Sequence, residues 1–426
     1  MKKAVILLSL LFVSLFGCNK ETIEIGKSES DTPKESEYNS RTLTSQEFLD
    51  YRQSFIEVCC NDGTVIALTS DGDVITWGNN YNGKIGNGNI ESHIPDTQIT
   101  PVEPFLIDFT QNIISVGNSL NVSYAITDSS EIYMWGRNDF GETGIVSGNI
   151  LEPQKLNIKS EIEKIASGNA TNLFLTRDGN VYVAGIDVLL YDNIDDLNQN
   201  VAYEYNFDIS EEPVPLISAE PGYTEIGIPF KCKDVSIGLL HYGFLSEKGD
   251  VYIQGTLLGD YNRNTPNITH NELYKIDFPE KIIDIESGSN FIVALSISGN
   301  IYLYGKKESM FFNENSDTEI AENIFIKGGV KNIVSISCNL YCVTMVDVGG
   351  NAYGFGIDNW GAIDNKNCDA DPAVYEIIYQ PRKLNYSGVK KCTTDGLNSV
   401  IILDSGQIFI QGADGAKQIS YLNKIQ

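Results

Sequence analysis

One interval recurs seven times in this chain and never varies. A turn residue at Gly72, Ser130, Gly179, Gly249, Gly299, Gly350 or Gly406 is followed six positions later by Gly78, Gly136, Gly185, Gly255, Gly305, Gly356 or Gly412. Four residues before each turn position the side chain is apolar: Leu68, Ile126, Leu175, Leu245, Leu295, Val346, Ile402. Two residues after it stands Val74, Ile132, Val181, Val251, Ile301, Ala352 or Ile408. A pair such as Asp71-Gly72 between apolar runs signals a hairpin, because its turn needs a positive φ that glycine accepts without a Cβ clash. Seven hairpins at intervals of 49 to 70 residues, with the variation confined to loops, restrict the chain to a strand solenoid or a propeller.

The first unit, ALTSDGDVITWGNNYNGKIGNG from Ala67 to Gly88, is the fullest. Through Ala67, Leu68, Thr69, Asp71, Gly72, Trp77, Gly78, Asn80, Gly83 and Gly86 it resembles the repeat of the regulator of chromosome condensation family. The second unit keeps Ala125, Thr127, Trp135, Gly136, Asn138, Gly141 and Gly144, and the fourth has Gly238 followed three residues later by His241, where the family's histidine falls. The resemblance covers about residues 55 to 426. It implies an all-β fold, a seven-bladed β-propeller of four-stranded antiparallel blades. Similar propellers serve as nucleotide-exchange factors, photoreceptors and enzyme inhibitors, so the fold does not choose a function. A Trp-Asp repeat should be shorter and end in that dipeptide, and a kelch unit should repeat a double glycine, which among the seven turn positions occurs only as Gly349-Gly350.

The first 17 residues read as an address. Lys2 and Lys3, the apolar run Ala4 to Phe16, and Gly17-Cys18 look like a bacterial lipoprotein signal, with Cys18 as the lipidated residue; the run is short for a membrane span. From residue 18 to 43 the composition is that of a solvated, flexible tether, and the propeller is expected over 44–426. Thr44 and Glu47 have capping-box spacing ahead of Phe48 and Leu49, which predicts a short helix to about Arg52.

Charge narrows the partners. Thirty basic against 57 acidic residues give a net charge of −27, which argues against nucleic acid and leaves the lipid anchor as the only expected membrane contact. A protein partner, of basic character, fits better. The insertion after Gly185 concentrates this property. From Asp178 to Phe230 there is no Lys or Arg, while Asp192, Asp195, Asp196, Glu211 and Glu212 alternate with Tyr203 and Tyr205. Those seven residues are the predicted partner-binding set, since charge raises encounter rate and tyrosine supplies contact area. A calcium loop through Asp196, Asn198 and Asn200 is disfavoured by Val201 and Phe207 at the glycine and glutamate positions.

Little else suggests chemistry. Of the three histidines, His93 and His270 read as loop residues and His241 as a packing residue. Phosphate-loop, metalloprotease and nucleophile-elbow motifs are lacking, so no catalytic residue, metal or cofactor is expected. Trp77 and Trp135 share a strand column and Trp360 follows Gly356, unlike a photoreceptor's cluster. Of eight cysteines, Cys60 and Cys338 read as buried small apolar residues, a Cys338–Cys342 metal pair lacks partners, and Cys368 is the most reactive candidate. The chain is thus expected to be a lipid-anchored, extracytoplasmic, non-catalytic protein-binding scaffold on a bacterial membrane. The rival readings are an inhibitor of a secreted enzyme, a glycan-binding or glycan-active propeller, and, for a cytosolic chain, a guanine-nucleotide-exchange regulator.

Overall fold

A computed structural model describes residues 38–90, 102–189, 224–259, 266–363 and 376–412, apart from positions 53, 62, 81, 146–147, 157, 159, 169, 186–188, 308, 310, 312, 314, 340, 359–360 and 396–397. In the first unit β1 (Tyr38–Thr42) and helix α1 (Ser45–Arg52) precede β2 (Phe55–Asn61), β3 (Thr64–Thr69), β4 (Val74–Gly78) and β5 (Val102–Phe109). Strands β2 to β5 form an antiparallel sheet in sequence order. Six more sheets repeat this plan, with inner strands Ile113–Asn118, Ile162–Ser167, Cys232–Ile237, Ile282–Ser287, Ile333–Asn339 and Val389–Thr394. These inner strands lie against those of neighbouring blades, so the sheets stand around one axis.

The repeating hairpin gives the ring two faces. On the turn face lie the Asp-Gly-type turns and the starts of the inner strands; on the exit face the third strand ends at the second glycine column. All seven glycines of that column have positive φ. A Cβ at Gly136, Gly185, Gly255 or Gly356 would stand 2.3, 2.2, 2.3 or 2.1 Å from the carbonyl oxygen of Asn121, Ala170, Leu240 or Tyr341. The dihedral therefore holds glycine there in every blade, and at these four positions space does so independently.

The apolar columns become cores shared by adjacent blades. Val58, Val65 and Ile75 of blade 1 pack in one cluster with Val400, Ile402 and Ile410 of blade 7, which closes the ring. Helix α1 covers this seam: Phe48, fully buried, meets Trp77 edge-on at 5.1 Å and Phe55 at 6.2 Å, contacts worth about 1 kcal/mol each beyond buried area. The predicted capping box forms. The Glu47 N–H donates to Thr44 Oγ1 at 3.3 Å, and the Thr44 N–H donates to Glu47 Oε2 at 2.8 Å.

Several details depart from expectation. The tether expected to reach residue 43 ends earlier: β1 pairs antiparallel with β5, Tyr38 opposite Phe109, adding a fifth strand to blade 1. The sequence YNSRT hides this because its pairing is by backbone; its one anchoring ring, Tyr38, lies 5.6 Å from Phe109. Blade 5 gains an extra strand at Thr318–Ala321. Blade 7 shows three strands among the described residues, and the exit segment expected at 419–425 lies outside them. His270 sits in strand Ile268–Ile276, stacked on Tyr274 at 4.1 Å and bonded to the Tyr304 hydroxyl at 2.8 Å, rather than in a loop.

Blades 5 and 6 are tied by a dry ion pair. Lys327 and Asp317, both with 0% side-chain exposure, meet at 2.7 Å. Lys327 also donates to the carbonyls of Phe311 and Tyr379, and Asp317 accepts from the N–H groups of Asn313 and Gly328. Burial lowers the Lys327 pKa, opposed by Asp317. Such a pair holds only because its remaining hydrogen-bonding capacity is filled.

Candidate functional site: the charged axial channel

Each inner strand opens with a register irregularity at its second residue, and the residue after it turns towards the axis. That position lies fifteen residues before each turn residue and holds Glu57, Ser115, Lys164, Asp234, Asp284, Ser335 and Lys391. Two residues further on come Cys59, Gly117, Ala166, Ser236, Glu286, Ser337 and Thr393. Both rings face the channel.

Across the blade junctions the ionic groups pair. Lys164 Nζ is 2.5 Å from Asp234 Oδ1, and Lys391 Nζ is 3.3 Å from Glu57 Oε1. Carboxylates also receive backbone donors of the next blade: Val116 N–H donates to Glu57 Oε2 at 3.0 Å, and Ile285 N–H to Asp234 Oδ2 at 3.5 Å. Tyr124 occupies the channel beside Gly117, where a Cβ would fall 2.3 Å from its hydroxyl oxygen. Its own hydroxyl donates to Ile165 O at 3.4 Å.

Four carboxyls and two ammonium groups share this narrow space, so full ionisation would leave an uncompensated charge of low solvation. Burial pushes Glu286 up to about 8 despite Lys164 and Lys391, and burial with the neighbouring Asp234 pushes Asp284 up to about 7. Burial alone would lower Lys164, but Asp234 and Glu286 outweigh it and the lysine is raised. These groups retain some accessible area, with Lys164 and Lys391 side chains 36% and 41% exposed. The arrangement joins blades through charge and leaves its lysines occupied. Among the described residues no group of three or more His, Cys, Asp and Glu could hold a metal ion.

The sequence-predicted residues fall elsewhere. Cys18, Cys368, His93, Trp360 and all seven residues of the acidic set, Asp192, Asp195, Asp196, Tyr203, Tyr205, Glu211 and Glu212, lie outside the described residues. What the structure places is the root of that insertion. It leaves after Gly185 on the exit face and rejoins at Thr224, with Val183 opposite Thr224 and Val181 opposite Ile226 in blade 3. His241 is a packing residue: its ring fills the space where Gly238 would carry a Cβ, both ring nitrogens are buried without a partner, and burial lowers its pKa to about 3. Cys60 is buried, Cys338 is half-buried, and among the described residues none of Cys59, Cys60, Cys232, Cys338, Cys342 and Cys392 is in a disulfide. Sequence reasoning missed the channel, although the signal was available in the constant fifteen-residue offset of Glu57, Lys164, Asp234, Asp284 and Lys391.

A closed ring of seven antiparallel sheets around a filled axis defines the chain as a seven-bladed β-propeller. Residues 55–84, in the first blade, match the Regulator of chromosome condensation (RCC1) repeat. Among solved structures it is similar to human WBSCR16 (TM-score 0.58, 16% identity, 80% of this chain and 85% of that one). It is likewise similar to Prp20p from Saccharomyces cerevisiae (TM-score 0.57, 15% identity, 87% and 86% covered). By sequence it is 24% identical over 270 residues to the serine/threonine-protein kinase Nek9 of Xenopus laevis and 22% identical over 323 residues to the E3 ubiquitin-protein ligase HERC2 of Mus musculus. These matches cover 59% and 73% of this chain but only 26% and 6% of the relatives' lengths.

Proposed function

We propose that the chain is a lipid-anchored, extracytoplasmic propeller that binds a protein partner and leaves catalysis to others. The observation that carries this reading is the root of the acidic insertion: strands Val181–Gly185 and Thr224–Ile226, which bracket it, pair side by side in blade 3, so its two ends meet the ring at one blade. A segment rich in carboxylates and tyrosines, fixed on a rigid scaffold, suits capture of a basic surface. Fold likeness supports protein binding in general, since the yeast Prp20p is described by its binding to Gsp1p and histones. The compartment rests on the Cys18 signal pattern alone.

The test replaces residues 192–221 with a short Gly-Ser linker, sparing Leu189, which packs against blades 3 and 4, and strand Thr224–Ile226. Melting should stay nearly unchanged while partner capture is lost, and capture by the intact chain should weaken as salt rises. Capture that survives the replacement, or ignores salt, moves the site elsewhere on the ring. Acyl labelling of wild type against Cys18→Ser tests the anchor. An unprocessed cytosolic chain would favour the exchange-type regulator instead.

A further inference from the structure

Among the described residues the turn face carries a distinct pattern of exposed apolar side chains. At the irregular second residue of the inner strands, sixteen positions before each turn residue, stand Ile56, Ile114, Glu163, Lys233, Ile283, Val334 and Lys390 in ring order. Ile56, Ile114, Ile283 and Val334 are 48%, 47%, 38% and 55% exposed. Blades 5 and 6 add Ile297 and Val348, 67% and 73% exposed, at the tips of their turns. Thus six of the ten large apolar side chains exposed among the described residues gather on one face. Backbone bonds fix the two tips beside the strand starts: Ile297 N–H donates to Lys281 O and Val348 N–H to Asn332 O, both at 2.9 Å.

Lysines surround this arc. Lys231, Lys233, Lys248, Lys281, Lys331 and Lys390 are all exposed on the turn-face ends of blades 4 to 7. The acids on that half are partly engaged. Glu247, Asp277 and Asp404 are exposed, Asp250 is paired with Lys275 at 3.0 Å, Glu280 accepts from Asn300 and Tyr302, and Asp347 accepts from Gly349, Asn351 and Tyr353. Apolar tips ringed by lysine are notable in a chain of net charge −27.

The chain's own path names the occupant. Strand β1 runs from turn face to exit face, because Tyr38 pairs with Phe109 and Thr42 with Phe105. The segment from residue 18 therefore joins the ring on the turn face. Its twenty residues cannot span more than about 70 Å, which keeps that face near whatever Cys18 is fixed to.

We propose that the turn face of blades 4 to 7 docks on an anionic lipid surface, its lysines at the headgroups and Ile283, Ile297, Val334 and Val348 in the interfacial layer. This rests on the lipid-anchor reading for proximity but is separable from it. The overall negative charge does not oppose docking, because charges beyond about 8 Å are screened at physiological salt. Each lysine near such a surface favours binding roughly fivefold.

The test uses the chain from residue 18 onward with Cys18→Ser, which lacks both acyl chain and apolar leader; the described ring and its closing seam are built from residues after 37. It should co-sediment with phosphatidylglycerol vesicles and much less with phosphatidylcholine vesicles. The double variant Lys281→Glu/Lys331→Glu should lose binding by roughly twentyfold or more, and Ile297→Ser/Val348→Ser severalfold, both with unchanged melting because all four side chains are exposed. Sedimentation with neither vesicle, beside an acylated wild type on membranes, overturns the docking and leaves the anchor standing. Binding to phosphatidylglycerol by a chain that is never acylated in cells does the reverse. Equal binding to both vesicles, or binding to polyglutamate and not to vesicles, also overturns the proposal.

Discussion

The two ends of every hairpin differ in what they tolerate. On the exit face the glycine column has no exception in seven blades; on the turn face Ser130 replaces glycine at φ 62°. The spatial reason is graded. At the exit column a carbonyl oxygen of the adjoining strand lies 2.1 to 2.3 Å from an added Cβ in Gly136, Gly185, Gly255 and Gly356. At the turn column the nearest atoms belong to the next blade and stand further off, 2.8 Å at Gly72, 3.0 Å at Gly249 and 3.2 Å at Gly350. One column is closed by its own sheet, the other, at longer distances, by the next blade. The less tightly closed face is also the one that displays isoleucine, valine and lysine.

The harshest way to probe this difference is Gly136→Val. It adds a β-branched side chain at φ 124° against Asn121 O and should cost about 4 kcal/mol or more, read as a shifted denaturant midpoint or as insoluble protein. A variant with wild-type stability would show that the adjoining strand can move.

Midway between the faces, Glu286→Gln separates charge from packing. The folded pKa of Glu286 is raised from 4.5 to about 8, so the folded state holds a proton that the unfolded chain releases. Its contribution is present in full below about 4.5 and lost as pH rises through about 8. The glutamine variant should match wild type at pH 4, exceed it at pH 9, and show a shallower decline between; Asp284 and Glu142, both raised to about 7 by burial, retain part of the slope. Equal pH profiles would remove Glu286 from the network.

The smallest effect is expected at Ser130→Gly. Glycine relieves the left-handed backbone and removes a buried hydroxyl without a partner, but it loosens the unfolded chain. The balance should be a gain of at most about 1 kcal/mol, measurable as a raised midpoint. A loss would mean that the hydroxyl holds the turn.

The blades were legible in the sequence because their determinants are local. Hairpin spacing, apolar columns and the Thr44–Glu47 cap each act within a few residues, and each appears where it was read. The channel was not, because Glu57 and Lys391 look like ordinary solvent-facing strand residues until the ring brings them together. Strand β1 escaped for a related reason, its partner β5 beginning sixty residues downstream of Thr42 with no side-chain pattern to announce the pairing. The acidic insertion remains a reading of composition, while the apolar pattern of the turn face needed the blades to be set in register.

The seam that joins blade 7 to blade 1 bears on how the ring assembles. Lys391 meets Glu57 across 334 residues of sequence, and closing a loop of that length costs on the order of 5 kcal/mol of chain entropy. During synthesis the apolar flank of blade 1 must wait for the strands of blade 7. Helix α1, contiguous with blade 1 and lying over the same flank, is the only early neighbour among the described residues able to shield Phe55 and Trp77 during that interval. A latch in the finished ring is thereby a temporary lid for the unfinished one.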